Sequence, residues 1–153
     1  MSVKEKISSL GLSLPTAAAP VAAYVPAVKS GNLVFTAGQL PVVDGKLLKV
    51  GKVGRDVTAE EAKEFAKICA LNALAAISLV ADLDQIERVV RVGGYVNCAP
   101  GFTAIPGVIN GASEFLIKIF GDVNGKHART AVGVAELPLN APVEVEVIVQ
   151  LKN

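Results

Sequence analysis

In the closing stretch ARTAVGVAELPLNAPVEVEVIVQLKN, chemistry could be built on Arg129 and two carboxylates, Glu144 and Glu146. The acids stand two residues apart, so on a strand they share one face while Val143, Val145 and Val147 share the other. A pair of acids on a half-solvated strand ordinarily faces water. Charge is scarce in this stretch, however, and a charge removed from water needs a partner. Arg129 is the available one. Its guanidinium is also a planar fork that holds a carboxylate by two parallel hydrogen bonds.

Whether these groups meet depends on strand pairing. If residues 130–136 and 143–151 are direct hairpin partners, Arg129 lies near Gln150, and Glu144 is several residues away at about 3.4 Å each. The two would then meet only across an interface between copies of the chain. If the last strand pairs elsewhere in the sheet, that inference lapses.

Other residues carry weaker signals. Tyr24 sits in a proline-flanked, non-helical stretch and reads as a packing residue with its hydroxyl at the surface. In TAGQ (36–39), Gly38 follows a strand where backbone could approach a ligand, or simply ends it. Asn110 lies in a helical run that it could cap or bend. His127, the only histidine, reads as a solvated turn residue beside Lys126. One histidine leaves little from which to build a zinc site or a histidine-dependent triad. No Walker-type phosphate loop and no G-x-G-x-x-G is present. Cys69 reads as core and Cys98 as a loop-edge thiol. Two cysteines without C-x-x-C pairing suggest reduced thiols and a cytoplasmic protein.

The elements that must position these residues follow from periodicity. With 153 residues, one domain and one site are expected. Residues 1–18 form an N-terminal extension with a short helix over 2–10, and three prolines make the stretch that follows loop or extended edge. LVFTAGQLPVVDGKLLKVG reads as a hairpin turning at Asp44-Gly45. Thr58 followed by Glu61 is a capping-box signature opening a helix to about Ala81. Its apolar face would include Ala62, Phe65, Ala66, Cys69, Leu71, Leu74 and residues 76–79. IERVVRVGGYVNC is a strand with Gly93-Gly94 as a bulge or close-packing point. The loop APGFTAIPG leads into a helix over VINGASEFLIKIFG, ended by Gly121. Two strands close the chain. The order ββ(β)-α-β-α-ββ is an α+β domain with helices on one face of a mixed sheet.

Composition narrows the partners. The chain carries 15 basic and 14 acidic side chains, a formal net charge of +1, with no block of either sign, so neither nucleic acid nor an anionic membrane is expected. Glu5, the serines and Pro15 break up any signal-peptide core, and no segment has the apolar length to cross a bilayer. With 52% hydrophobic and 19% charged residues, the chain either has a large core or shares apolar surface with copies of itself, and the second is expected.

Three segments, APVAAYVPAVKSGNLVFTAGQLPV, VINGASEFLIKIFG and ARTAVGVAELPLNAPVEVEVIV, in this order and spacing, resemble the Rid (reactive intermediate deaminase, YjgF-like) family. The most specific part is R-x-x-V-x-V-A-x-L-P followed by V-E-V-E. The resemblance implies a chorismate-mutase-like α+β fold with two main helices packed on one face of a mixed sheet. It also implies a homotrimer with active sites between subunits, no cofactor, and hydrolysis of small 2-imino acids to 2-oxo acids and ammonia. On this basis Arg129 would bind the substrate carboxylate, supported by the backbone N–H of Ala131. Glu144 would position or activate water, Tyr24 would close the cleft from the neighbouring subunit, and Ala37, Gly38 and Asn110 would line it. The chain departs from the family at Ala131, where cysteine is frequent, at Ala37, where serine is usual, and at Ala22-Ala23, where Gly-Pro precedes the tyrosine. The loop between the central strand and the second helix also reads as unusually long. A divergent subgroup follows, either an imine deaminase or a non-catalytic binder of small carboxylates. The ribonuclease activity that appears in names within the family finds no basic stripe or histidine pair here.

Overall fold

Thr58 opens the long helix as its spacing to Glu61 predicts, each residue bonding the other's backbone N–H. This helix, α2 (Ala59–Ile77), stops before Leu79, which is exposed. Its buried face is mostly alanine, so it lies close against the sheet. A shorter helix, α1 (Val3–Ser9), opens by the same device, with Ser2 and Glu5 as the reciprocal pair. In this computed structural model, residues 1–19 and 22–153 are described. Pro20, the middle proline of the N-terminal stretch, lies with Val21 outside them.

Five strands form the sheet: β1 (Ala27–Ser30), β2 (Leu33–Thr36), β5 (Ile86–Asn97), β6 (Ala128–Val134) and β7 (Val143–Leu151), in the order β1-β2-β7-β5-β6. Among the described strands only β5 and β6 run parallel, and α3 (Ile105–Asn124) is the crossover that such a pair requires. Two short strands, β3 (Val42–Val43) and β4 (Lys46–Leu47), pair separately about Asp44-Gly45, both at positive φ as a tight hairpin turn needs. Helices α2 and α3 cover one face of the sheet. That face buries Val34, Val89, Val92 and Val96 with the valine row 143, 145, 147 and 149. The other face carries Val28, Phe35 and Val132 exposed.

Several alternatives that the sequence leaves open are decided, and the start of the second long helix changes. The hairpin between the last two strands does not form: β7 pairs with β5 on one side and β2 on the other. The physical reason is the link 135–142, which straddles the end of β5 and is pinned there by buried Asn97. The Asn97 amide donates to the Ala141 carbonyl (3.1 Å) and Asn140 Oδ1 (3.2 Å) and accepts from Lys52 Nζ (2.7 Å). Of the proline-rich stretch, the described residues up to Pro26 are loop, and the edge strand β1 begins just after them. Gly93-Gly94 is a close-packing point and no bulge, because the register runs unbroken through it and shifts near Glu87 and Val90 instead. A methyl group on Gly94 would fall 2.6 Å from the Ile109 side chain. Helix α3 starts earlier than its apolar pattern suggested, with Ile105 and Pro106 in its first turn, which shortens the loop before it. Its regular part ends at Gly121, at φ 84°, as expected. Among the described residues no helix is long and apolar enough to cross a membrane.

Candidate functional site

Arg129 points to the helical side of edge strand β6, where α3 receives it. Its Nη1 donates to Asn110 Oδ1 (2.8 Å) and Ser113 Oγ (3.2 Å), and its Nη2 donates to the Pro106 carbonyl (3.4 Å). Among the described residues nothing accepts from Nε–H. Nε–H and Nη2 form one edge of the guanidinium, the geometry that grips a carboxylate with two bonds, and Nη2 gives only its long bond to Pro106. Ala131 and Gly133 follow Arg129 on the same side. Ala131 packs against the core, and Gly133 makes room for the Cys98 thiol and Ile105.

Ser113 has a second partner that sequence reasoning missed. His127 Nδ1 donates to the Gly125 carbonyl (2.7 Å), which fixes the tautomer, and Ser113 Oγ lies 2.9 Å from the free Nε2. His127 is thus half-buried and bonded through both nitrogens, not a solvated turn residue. Burial lowers its pKa, the Gly125 bond opposes this, and the Arg129 charge adds to the lowering.

Glu144 occupies the opposite face of the sheet. Along β7 the valines turn to the helices, so Glu144 and Glu146 turn away from them, beside Tyr95 of β5. The Tyr95 hydroxyl donates to Glu146 Oε1 (2.9 Å), and that bond is the main reason its pKa is raised. Glu144 has a raised pKa, first because it is half-buried and second because Glu146 is near. Each carboxylate lies over a glycine. A methyl group on Gly38 would fall 2.0 Å from Glu144 Oε1, and one on Gly93 would fall 2.7 Å from Glu146 Oε1.

Local irregularity in β2 places Gly38. From the Phe35–Ile148 pair to the Gln39–Val145 bridge the β2 side holds one more residue than β7. The extra residue breaks the ladder, and Thr36 Oγ1 accepts the orphaned Val147 N–H (2.9 Å). Ala37 N–H goes to the Pro26 carbonyl (2.8 Å), tying this bend to the segment that carries Tyr24. Tyr24 is 51% exposed and lines, with Pro26, Gly38, Leu40 and Asn72, a hollow of about 170 Å³. Asn72 donates both amide hydrogens to the Leu40 and Val42 carbonyls (3.0 Å each), which fixes the floor.

The expected residues therefore fall into two groups. Arg129, Asn110 and Ala131 gather on the helical side of β6, while Glu144, Ala37, Gly38 and Tyr24 gather at the open face and the β2 bend. One chain does not bring the groups together. Among the described residues no set of three or more His, Cys, Asp or Glu side chains converges as a metal site would. The groups present can hold a carboxylate on one side and handle a proton on the other.

Comparison with known proteins agrees with this architecture. Residues 4–151 match the family described as "YjgF/chorismate mutase-like, putative endoribonuclease". The chain is 41% identical over 152 residues to Protein TCP17 of Trypanosoma cruzi, covering 99% of this chain and 95% of that relative. It is 31% identical over 141 residues to the 2-iminobutanoate/2-iminopropanoate deaminase of Dermatophagoides farinae, covering 92% and 95%. The crystal structure of Atu1372 from Agrobacterium tumefaciens superposes with a TM-score of 0.88 at 41% identity, covering 98% of this chain and 92% of that one. Matched along almost its whole length, the chain belongs to the YjgF/RutC family, the superfamily of the Rid proteins.

Proposed function

We propose that the chain is the subunit of a homotrimeric, cofactor-independent deaminase that hydrolyses small 2-imino acids to 2-oxo acids and ammonia in clefts between subunits. The observation that carries this reading is the division of the site into two incomplete halves on opposite faces of one sheet. An arginine fork with an unengaged Nε–H beside Nη2 and a carboxylate with a raised pKa make a working pair only when copies of the chain bring them together. The exposed apolar residues Val28, Phe35 and Val132 on the face that carries Glu144 favour such association.

The chemistry needs little beyond these groups. Arg129 holds the substrate carboxylate through Nε–H and Nη2–H and thereby fixes C2 of the imine. Glu144 from a neighbouring copy accepts a proton from water as its oxygen bonds to C2. That proton passes to the nitrogen, giving a tetrahedral carbinolamine. Glu144 then carries the hydroxyl proton to the nitrogen as the C–N bond breaks, so ammonia leaves and the hydroxyl oxygen becomes the carbonyl of the 2-oxo acid. A carboxyl with a raised pKa suits both steps near neutral pH. The 31% identical relative named as a 2-iminobutanoate/2-iminopropanoate deaminase supports the substrate class.

The test is a coupled assay in which an amino-acid oxidase supplies several 2-imino acids and their decay is followed. Faster decay with wild type and not with Arg129→Ala supports the reading. No acceleration by a properly assembled oligomer overturns it. A second reading, a non-catalytic binder of small 2-oxo or 2-imino carboxylates, is favoured by Ala131, which packs against the core and places no reactive group beside the arginine. Ligand binding without turnover would select it.

A further inference from the structure

Arg129 is held by a hydroxyl that is itself oriented. A serine within a helix ordinarily bonds back to a carbonyl of its own turn or faces water. The hydroxyl of Ser113 instead stands between His127 Nε2 (2.9 Å) and Arg129 Nη1 (3.2 Å). It has a single proton, so the state of the imidazole decides what it offers to the arginine. With Nδ1–H committed to the Gly125 carbonyl, a neutral His127 leaves Nε2 bare to accept that proton. The oxygen lone pairs then face Nη1.

We propose that Ser113 and His127 are a positioning pair for Arg129, in which the neutral imidazole turns the serine oxygen onto Nη1 and so presents the Nε–H and Nη2–H edge to a substrate carboxylate. The inference rests on the carboxylate-binding role of Arg129 and assigns what regulates it. An imidazolium reverses the pattern: Nε2–H would donate to the oxygen in place of accepting from it, the serine proton would turn away, and two cations would share one hydroxyl.

The groups around His127 also disfavour that state. Arg129 faces it from β6, while Arg88 of β5 and Lys126 line the same surface hollow, with uncharged Gln150 from β7. The acids nearby are engaged elsewhere: Glu87 accepts from Gln150 Nε2 (3.3 Å), Glu114 pairs with Lys63 (3.0 Å) and Asp122 lies near Lys126 (3.9 Å). Burial lowers the His127 pKa further. The working form at neutral pH is therefore the imidazole, and carboxylate capture weakens as the pH falls through its titration.

Two readouts test the pair. Because His127 is the only histidine, its ring nitrogens give an unambiguous ¹⁵N NMR signal. The expected state is a protonated Nδ1 and a bare Nε2 at pH 7, with a titration that moves upward in Ser113→Ala. The second readout is pyruvate binding. Ser113→Ala and His127→Phe should each weaken it by roughly three- to tenfold, the worth of one well-placed hydrogen bond. The double variant should be no weaker than either single one, because the residues act as a unit. His127→Gln, which keeps an acceptor near Nε2 but cannot titrate, should restore affinity and remove its loss between pH 7 and 5. Additive losses, a Gln variant as weak as Phe, or affinity that rises as the pH falls would each overturn the proposal. If wild type binds pyruvate through Arg129 and accelerates no imine decay, the deaminase reading fails while the pair stands. If Arg129→Ala binds pyruvate as well as wild type, the arginine role fails and the pair falls with it.

Discussion

Arg129 and Glu144 lie on opposite faces of the same five-stranded sheet, Arg129 tied to helix α3 and Glu144 beside Tyr95 on the other face. A sheet is a wall that side chains of this length do not round. The separation converts a catalytic proposal into an assembly proposal, since the two can act on one substrate only from different copies of the chain.

Arg129→Lys tests the fork. Lysine keeps the charge but offers a point ammonium in place of two coplanar donors, and it abandons the bonds to Asn110 and Ser113. Loss of one charge-assisted bond of about 1.5–3 kcal/mol predicts a KM higher by about 10- to 100-fold, with kcat less affected. Steady-state kinetics in the coupled assay separate the two constants.

Glu144→Gln removes the proton acceptor while keeping size and polarity, and kcat should fall by roughly 10²- to 10⁴-fold. The wild-type rate should also fall as the pH drops through the raised pKa of Glu144, because the protonated form cannot act as a base. Stability runs the other way. A glutamate whose folded pKa lies above its unfolded value stabilises the fold below the unfolded pKa and loses that contribution as the pH rises through the folded one. Glu144→Gln should therefore melt at a higher temperature than wild type at pH 7, and the difference should close toward pH 4. Thermal unfolding at several pH values gives the sign directly.

Gly38→Ala separates activity from stability. The added methyl would fall 2.0 Å from Glu144 Oε1, so the carboxylate must swing aside. The group that moves is the far end of a flexible side chain, and Gly38 has no positive φ. The melting temperature should change little while imine hydrolysis falls about as far as in Glu144→Gln. Equal activity in the two glycine and alanine forms would remove Glu144 from the chemistry.

Much of this arrangement was legible in the residues, and the rest was hidden for definite reasons. The Thr58–Glu61 cap and the Asp44-Gly45 turn depend on contacts within a few residues, so spacing alone located them. The Ser2–Glu5 cap has the same form and was equally readable. Strand partnership was not, because β6 and β7 are separated by β5 and nothing in ELPLNAP distinguishes a hairpin loop from a link that straddles another strand. The buried asparagine that pins it, Asn97, comes from a distant part of the chain. Arg129 and Glu144 stood out by charge in an apolar setting. His127 did not, because its two hydrogen bonds depend on how α3 returns to β6, and a histidine beside Lys126 in a glycine-bounded turn looks solvated from sequence. The pairing of Ser113 with His127 across the helix–strand junction leaves no local signal at all.

Subunit mixing tests the divided site most directly. Arg129→Ala and Glu144→Gln homo-oligomers should each be inactive, for different reasons. Unfolded together in equal amounts and refolded, they form oligomers in which some clefts receive an intact Arg129 from a Glu144→Gln chain and an intact Glu144 from an Arg129→Ala chain. For random assembly of a closed ring, about a quarter of the clefts should be complete, and activity should return to about that fraction of wild type. A site contained within one chain cannot recover, because every chain in the mixture lacks one of the two groups. Recovery near a quarter therefore demonstrates a shared cleft, and activity that stays at the level of the separate variants shows that Arg129 and Glu144 do not serve one site.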